Sequence, residues 1–396
     1  MRWPFAAQKG LTPGHPETRP NLSNRFAFDL CRTLGAEQES GNVFFSPASV
    51  LLCLWLLHEG ATSETRKAME EVLNVAGLQP EALQSALGAL KSALRIKAPG
   101  LQLEAAHSIW YNPKWKPRSE YLAKIREQYD ADVIALDTLC DEMAARINSW
   151  VLEKTHGKIE GILGALDPLT SLLAINAIYF KDIWDKPFNR ELTREESFHN
   201  SQGVELKVPL MSQYGAYPYY EESKFQAVRL GYKTSRLAMY VFLPAKRSNL
   251  AEFRQNLNSA AWDKWTRRFA VIGGHIQFPR FKLSCESNLK SALAKLGMEI
   301  AFDPKRARFD AISPPPPEIW IDQVLHRAFV EINEEGTEAA AVTAVHMVAL
   351  SMRRPKPPRT FEMIVDRPFF FAICDDQTKS ILFMGSIEKP HFKEGY

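Results

Sequence analysis

Residues 333–360 form the segment that most constrains the fold of this 396-residue chain: NEEGTEAAAVTAVHMVALSMRRPKPPRT. In its first half, every second residue (one parity of the sequence) is small or β-branched and uncharged: Thr337, Ala339, Ala341, Thr343 and Val345. The other parity includes a glutamate and a histidine, Glu338 and His346. Because successive side chains of an extended chain point to opposite faces, this segment can lay one uncharged face against a core. The pattern predicts a segment that is able to form a strand.

The second half of the segment, residues 352–360, carries four basic residues and three prolines. This composition is typical of an extended, solvated stretch rather than a packed one. The sequence thus predicts a strand-competent arm joined to an exposed tether. A short surface helix over residues 338–344 is the alternative, because that stretch is rich in helix formers.

Long motifs precede and follow this segment. The stretches VLHRAFVEINEEGTEAAA (324–341) and DRPFFFAICDDQTKSILFMGSIEKP (366–390) flank it, and three more stand upstream. These are NVFFSPASVLLCLWLLHEGA (42–61), NAIYFKDIWDKPF (176–188) and FHNSQGVELKVPLM (198–211). In their order and spacing they resemble the signatures of the serpin family, over nearly the whole chain from about residue 21 to 390.

The resemblance implies an α+β serpin fold. Such a fold has three β-sheets with a large central mixed sheet, about eight or nine helices, and an exposed reactive loop, here about residues 334–360. Residues 1–20 are expected to be a disordered arm, because proline and glycine recur there and apolar periodicity is absent. No linker-like stretch divides residues 21–396, which are predicted to form a single domain.

Local patterns predict several elements of this domain. Ser46 is expected to begin a helix whose 50–57 run is apolar all round, as in a buried helix. Residues 143–156 have the pattern of an amphipathic helix, which by resemblance lies across the main sheet and must yield when the sheet opens. The apolar run 171–180 is suited to a strand buried on both faces, and another strand is predicted at 319–332.

The resemblance also implies a mechanism. The loop of an inhibitory serpin is cleaved by a serine protease, and the freed arm inserts into the central sheet while it is still bound to the protease as an acyl-enzyme. A charged residue on the inserted face would be buried unpaired, at a cost of several kcal/mol. The hinge of this arm is assigned by resemblance to these residues: Glu334, Gly336, Thr337, Glu338, Ala339, Ala340 and Ala341.

Two further sites follow from the resemblance. A hydrogen-bonded cluster of Ser46, Ser49, Asn176 and His326 would hold neighbouring strands together until insertion begins. Trp184 would lie beneath the entering hinge, near the position of Glu334. Without the resemblance, the histidine would be interpreted as a satisfied core residue and the tryptophan as a core aromatic residue.

The scissile bond sets the target protease. Family spacing puts it about sixteen residues beyond Glu334, at Leu350-Ser351. A leucine there would enter an apolar pocket, so the partner would be a chymotrypsin-like protease, or a subtilisin- or elastase-like one. Cleavage after Met352 is an alternative, and cleavage after Arg353 would instead suit a trypsin-like protease.

Other classes of protein find little support in the sequence. It contains no Gly-x-Ser-x-Gly elbow, His-Glu-x-x-His, phosphate loop or dinucleotide fingerprint, so we expect no catalytic residues, no metal site and no cofactor. The net charge of +3 is too small to indicate a nucleic-acid or membrane partner. A non-inhibitory serpin that acts as a storage, carrier or chaperone-like protein remains the competing hypothesis.

Cysteine usage and the N-terminal sequence bear on location. The five cysteines are scattered and show no Cys-x-x-Cys spacing, which favours free thiols in a reducing compartment. The first twenty residues lack the apolar core of a secretory signal. We therefore expect a cytoplasmic protein, or a secreted one if a leader has been trimmed. It is expected to be a monomer with a possible tendency to form loop-sheet polymers.

Overall fold

The computed structural model describes residues 22–37, 41–137, 140–316, 318–337 and 360–391. In these ranges the chain forms nine α-helices. They are α1 (Leu22–Glu37), α2 (Pro47–Gly60), α3 (Ser63–Val72), α4 (Pro80–Leu94), α5 (Ser119–Tyr129), α6 (Cys140–Lys154), α7 (Leu250–Asn256), α8 (Ser259–Thr266) and α9 (Lys290–Leu293). This number agrees with the expected eight or nine.

The described ranges also contain fifteen strands. They are β1 (Val43–Phe45), β2 (Gln102–Tyr111), β3 (Asp132–Ala135), β4 (Leu172–Ile183), β5 (Arg194–His199), β6 (Glu205–Glu222), β7 (Phe225–Gly231), β8 (Leu237–Pro244), β9 (Ala270–Pro279), β10 (Phe281–Asn288), β11 (Ile321–Ile332), β12 (Gly336–Thr337), β13 (Thr360–Ile364), β14 (Phe369–Asp375) and β15 (Ser380–Ile387). The strands predicted at 171–180 and 319–332 correspond to β4 and β11.

Hydrogen bonding connects these strands into two sheets rather than the expected three. A six-stranded mixed sheet has the order β10-β11-β12-β4-β2-β3, and a nine-stranded sheet runs β1-β15-β14-β8-β7-β6-β9-β13 with β5 on β6. The reason for the difference is the 18-residue strand β6. It pairs with β9 over Leu210–Tyr219 and with β7 over Tyr219–Glu222, so it joins two sets of strands that would otherwise be separate sheets.

Helix α2 forms where the sequence predicts it. The Ser46 hydroxyl caps its first turn by accepting a hydrogen bond from the Ser49 backbone N–H, and Pro47 occupies the first helical position. Almost every residue of the helix is buried. An apolar helix without a polar face can be accommodated only inside the core, and α2 accordingly lies against β4 and β15.

Helix α6 covers one end of the six-stranded sheet. Its residues Ile147 and Val151 are fully buried in a cluster with Ile175 of β4, Leu325 of β11 and Trp110 of β2. This cluster is separate from the main core, which fills the space between the two sheets. The helix predicted at 143–156 therefore does lie across this sheet.

Three structural observations concern the other sequence-based expectations. Within the described ranges, no helix is long and apolar enough to cross a membrane. The same ranges contain no cluster of His, Cys, Asp or Glu side chains arranged to hold a metal ion. The cysteines whose side chains are described, Cys31, Cys53, Cys285 and Cys374, are all free thiols.

Candidate functional site

A gap between β4 and β11 is the central feature of the six-stranded sheet. The two strands pair in parallel from Leu172 and Ile321 as far as Tyr179 and Phe329. Beyond that point β12 lies between them, pairing antiparallel with β4 and, through Thr337, with β11. The first residues of the predicted hinge therefore already occupy the end of this gap.

A tight turn brings the hinge into the gap. The side chain of Asn333 accepts hydrogen bonds from the backbone N–H groups of Glu335 (3.1 Å) and Gly336 (3.2 Å). Gly336 has a φ of +150°, and a Cβ on it would lie 2.3 Å from the carbonyl oxygen of Asp182. Only glycine satisfies both the backbone conformation and the close approach to β4 at this position.

Trp184 lies beneath the turn. It is buried and stacks on Tyr232 with 4.6 Å between the ring centroids. Its indole N–H donates to the Asn333 carbonyl (2.9 Å), and its backbone N–H donates to the Glu335 carbonyl (2.8 Å). The hydroxyl of Tyr232 lies 3.0 Å from that of Thr337, so the two aromatic side chains hold both ends of the turn. Sequence reasoning missed Tyr232, since no motif marks it.

Two buried glutamates attach the start of the hinge to the nine-stranded sheet and its connections. Glu334 is 1% exposed and accepts hydrogen bonds from Arg280 and from the Thr193 hydroxyl (2.7 Å). Burial alone would raise the pKa of Glu334, but these bonds hold it below the ordinary value. Glu335 is likewise buried and is paired with Arg190. Neither arginine could be predicted, because both are distant in sequence.

The second candidate cluster lies where β4 and β11 are still paired. The structure brings all four predicted residues together in a fully buried polar cluster: Ser46, Ser49, Asn176 and His326. The Asn176 side-chain amide donates to the Ser49 hydroxyl, and the Asn176 side-chain oxygen faces Nδ1 of His326. Sequence reasoning missed a fifth member, His107 of β2, whose Nε2 lies 3.2 Å from the Ser49 hydroxyl and 3.1 Å from the Ser49 carbonyl.

Hydrogen bonds determine which nitrogen of His326 carries the proton. The backbone N–H of Ser46 can only donate, and it donates to Nε2 (3.0 Å). The proton must therefore be on Nδ1, which donates to the side-chain oxygen of Asn176. Burial lowers the pKa of His326 to about 3 and that of His107 to about 4, so both rings are neutral near neutral pH.

This cluster links two neighbouring strands. The Asn176–His326 bond joins β4 directly to β11 at the pair of residues that face each other across the two strands. Breaking that bond is a requirement for separating the strands further. The predicted reactive bond Leu350-Ser351 lies outside the described residues, as do the alternatives at residues 352 and 353 and the hinge positions Glu338, Ala339, Ala340 and Ala341.

Comparison with known families gives one match that covers nearly the whole chain. The family described as "Serpin (serine protease inhibitor)" matches residues 21–390.

Two curated relatives extend this comparison. An uncharacterized serpin-like protein of Thermococcus kodakarensis is 33% identical over 96% of this chain and 88% of its own length. The leukocyte elastase inhibitor of Xenopus tropicalis is 32% identical over 93% of this chain and the whole of its own.

Solved structures give a similar result. The native state of the thermophilic serpin tengpin superimposes with a TM-score of 0.86 and 26% identity, covering 97% of both chains. Human thyroxine-binding globulin in complex with thyroxine superimposes with a TM-score of 0.84 and 26% identity, covering 94% of this chain and 98% of that one.

Proposed function

This chain belongs to the serpin family, and we propose that it inhibits serine proteases as a suicide substrate. The protease serine attacks the carbonyl carbon of Leu350, the peptide bond breaks, and the amine of Ser351 leaves with a proton. An ester then joins Leu350 to the protease. Insertion of the arm that ends at Leu350 into the gap between β4 and β11 carries the bound protease away before this ester is hydrolysed.

The observation that carries this proposal is the pairing of β12. Gly336 and Thr337 are already strand residues, hydrogen-bonded to β4 within the gap. Insertion would continue an existing strand, so it needs no new nucleus. Residues 338 and 339 would extend it between the unpaired ends of β4 and β11, and each residue from 340 onward would replace pairing between β4 and β11 by pairing of both strands with the arm.

The register of β12 predicts where the arm would lie. Continued in steps of two from Thr337, it sets the uncharged parity of residues 339–345 opposite one face of β4 and β11. The residues on that face, all buried, are Phe180, Ile178, Asn176, Ala174, Val330, Ala328, His326 and Val324. A charged side chain on this parity of the arm would be buried without a partner, which costs several kcal/mol. The sequence has none there.

The same register assigns a role to the polar cluster. It would bring Thr343 between Asn176 and His326, so the hydrogen bond between these two side chains must break at that step. The hydroxyl of Thr343 can replace part of the lost bonding, because it both donates and accepts. The cluster thus resists the separation of β4 from β11, and its hydrogen bonds can be partly re-formed with Thr343 after insertion.

Helix α6 supplies a second resistance. It covers the opposite face of the sheet around Ile175 and Leu325, on the strands that must separate. Moving them apart displaces the buried side chains of the helix, which costs hydrophobic free energy until the enlarged sheet is covered again. The arm can therefore enter the first part of the gap more easily than the part beneath α6.

The proposed target has an apolar specificity pocket. Leucine at position 350 fits a chymotrypsin-like protease, or a subtilisin- or elastase-like one, and cleavage after Arg353 by a trypsin-like protease is the alternative. The leukocyte elastase inhibitor among the relatives supports a protease target of this kind.

A carrier function is the second candidate. It is favoured by the similarity to a globulin that binds thyroxine. The uncharged parity of residues 337–345 argues against it, since a carrier does not need an insertable arm.

A melting experiment separates the two candidates. The loop between residues 338 and 359 is cut by limited proteolysis, and the melting temperatures of the intact and cut proteins are compared by circular dichroism. An inhibitor should melt at a much higher temperature after cleavage, because the arm has become a central strand. An unchanged melting temperature in a fully cut sample would refute the insertion mechanism and favour a carrier.

A further inference from the structure

A cavity of about 470 Å³ opens where three connections of the chain meet. They are the turn between β5 and β6, the connection from β8 to α7 and the connection from β13 to β14. We call it the connection cavity. A cavity of this size can hold a small organic molecule. The residues that line it belong neither to the gap between β4 and β11 nor to the buried polar cluster.

The connection cavity carries more positive than negative charge. Lys246 lines it, is exposed, and forms no ion pair within the described part of the chain. Arg367 and Asp366 also line it and are paired with each other at 2.7 Å, so their charges compensate. The charge of Lys246 is therefore left over, and the cavity favours an anion.

The guanidinium of Arg367 is held in place but is only partly used. Its Nε donates to the carbonyl of Pro244 (2.9 Å), and one N–H of the group donates to Asp366 (2.7 Å). Arginine has five N–H donors, so three are left without a partner among the residues that the structure describes. A fixed guanidinium with free donors is well suited to the oxygen atoms of a carboxylate.

A buried amide supplies a further donor. Asn200, in the turn between β5 and β6, is only 5% exposed and lines the cavity. Its side-chain oxygen accepts from the backbone N–H groups of Gln202 (3.0 Å) and Val204 (2.8 Å). Its Nδ2 is buried and has no hydrogen-bond partner in the described ranges. Buried amides are normally paired, and an oxygen of a bound ligand would satisfy this one.

The rest of the wall is apolar or already bonded. Pro244, Leu250 and Pro368 contribute apolar surface. The Ser248 hydroxyl donates to the carboxylate of Glu252 (3.1 Å), and the side-chain oxygen of Asn249 accepts from the Glu252 backbone N–H (2.7 Å). The cavity thus combines a few convergent donors with an apolar surface, as sites for amphipathic ligands do.

We propose that the connection cavity binds a small amphipathic anion, a carboxylate on a short aliphatic chain. The carboxylate lies between Arg367 and Lys246, with one oxygen accepting from Asn200, and the aliphatic chain lies on the two prolines. Binding requires neither cleavage of the loop nor insertion of the arm, so this inference is independent of the proposed function.

The ligand would also strengthen a contact that the fold already makes. The backbone N–H of His199, at the end of β5, donates to the carbonyl of Asp366 (2.8 Å), which joins the two connections on either side of the cavity. A ligand that contacts both connections binds the folded chain and not the unfolded one. It should therefore raise the melting temperature as its concentration rises.

Isothermal titration calorimetry of the full-length protein with octanoate tests the site. Lys246→Glu reverses the uncompensated charge. Its matched control is Arg247→Glu, since Arg247 is the next residue and is exposed but does not line the cavity. Acetate has the same carboxylate without the chain, and octylammonium has the same chain with the opposite charge.

The wild type should bind octanoate at one site with a Kd of roughly 0.1–1 mM. Lys246→Glu should bind about tenfold more weakly, because repulsion replaces attraction, and Arg247→Glu should bind like the wild type. Acetate should bind at least about tenfold more weakly than octanoate, and octylammonium should not bind. No binding of octanoate to the wild type, or equal affinities of the two variants, would overturn the site. Acetate that binds as tightly as octanoate would overturn the amphipathic ligand.

A second variant tests the cavity without changing its charge. Ser201 lines the cavity and is exposed, so Ser201→Trp should fill the space and abolish octanoate binding. Gln202→Trp, at the next exposed position outside the lining, is the control and should bind normally. Melting curves by circular dichroism show whether both variants are folded. Octanoate binding that persists in a folded Ser201→Trp variant would overturn the proposal.

Discussion

The two buried histidines of the polar cluster make the stability of this protein sensitive to acid. Burial lowers the pKa of His326 to about 3 and that of His107 to about 4, whereas an unfolded histidine has a pKa of about 6.5. Between these values, the unfolded chain binds protons that the folded one does not. Stability from the neutral rings is therefore fully present above pH 6.5 and is lost as the pH falls toward 4 and then 3.

The size of the effect follows from the shift. A pH of 5 is about 1.5 units below the pKa of a histidine in the unfolded chain. Protonation of that histidine therefore stabilises the unfolded state by about 2 kcal/mol for each ring. The folded rings stay largely neutral at this pH. Together, His107 and His326 should therefore reduce the free energy of unfolding by about 4 kcal/mol between pH 7.5 and pH 5. A protonated His326 could not accept from the Ser46 backbone N–H, which is why the folded state resists protonation.

Urea unfolding of the wild type and of His326→Gln at pH 7.5 and pH 5 measures this contribution. The variant should lose about 2 kcal/mol less than the wild type on acidification, because one of the two rings is gone. His199→Gln, at an exposed position, is the control and should behave like the wild type. Burial raises the pKa values of Asp182 and Asp322, so these two groups stabilise the folded state as the pH falls. Their contribution is the same in the wild type and in His326→Gln, and it cancels when the two proteins are compared. Identical pH dependence of the wild type and His326→Gln would refute the reasoning.

The hinge and the thiols provide further tests. Thr337→Arg puts a charge at a fully buried position and should turn the inhibitor into a plain substrate. Glu338→Arg changes a residue on the other face of the arm, so this variant should still inhibit. Equal inhibition by the two variants in a protease assay would contradict the register predicted for the arm. Gly336→Ala should lower the free energy of unfolding in urea by about 1–3 kcal/mol more than Gly203→Ala does. Both glycines have a positive φ, but a Cβ on Gly203 would meet no atom within 4 Å. Equal losses in the two variants would refute the close approach of Gly336 to β4. Cys53, buried with a pKa raised to about 12, should react with a disulfide reagent only after unfolding, and rapid labelling of the native protein would oppose this.

The elements that depend on neighbouring residues could be predicted from the sequence. Helix α2 begins at Pro47 after Ser46 because a cap and a helix-starting proline are local signals. The serpin fold inferred from the motifs is confirmed by the family match and by the similarity to tengpin. The resemblance carried by the motifs also assigned four residues to one polar cluster, and the structure places their side chains together.

Features that depend on distant contacts could not be predicted. His107 reaches Ser49 from a strand 58 residues away, and Tyr232 meets Thr337 across 105 residues. No local pattern marks either residue. The number of sheets was also beyond the sequence, since it depends on β6 pairing with different strands along its length. The functional roles of the hinge, the cluster and the reactive bond remain predictions.

Covalent trapping tests the central claim most directly. The protein is mixed with chymotrypsin, and separately with trypsin, then boiled in detergent and separated by size, and the released C-terminal peptide is weighed by mass spectrometry. The account predicts a detergent-stable complex with chymotrypsin and a peptide that begins at Ser351. Complete cleavage of the loop at that bond without any complex would contradict it.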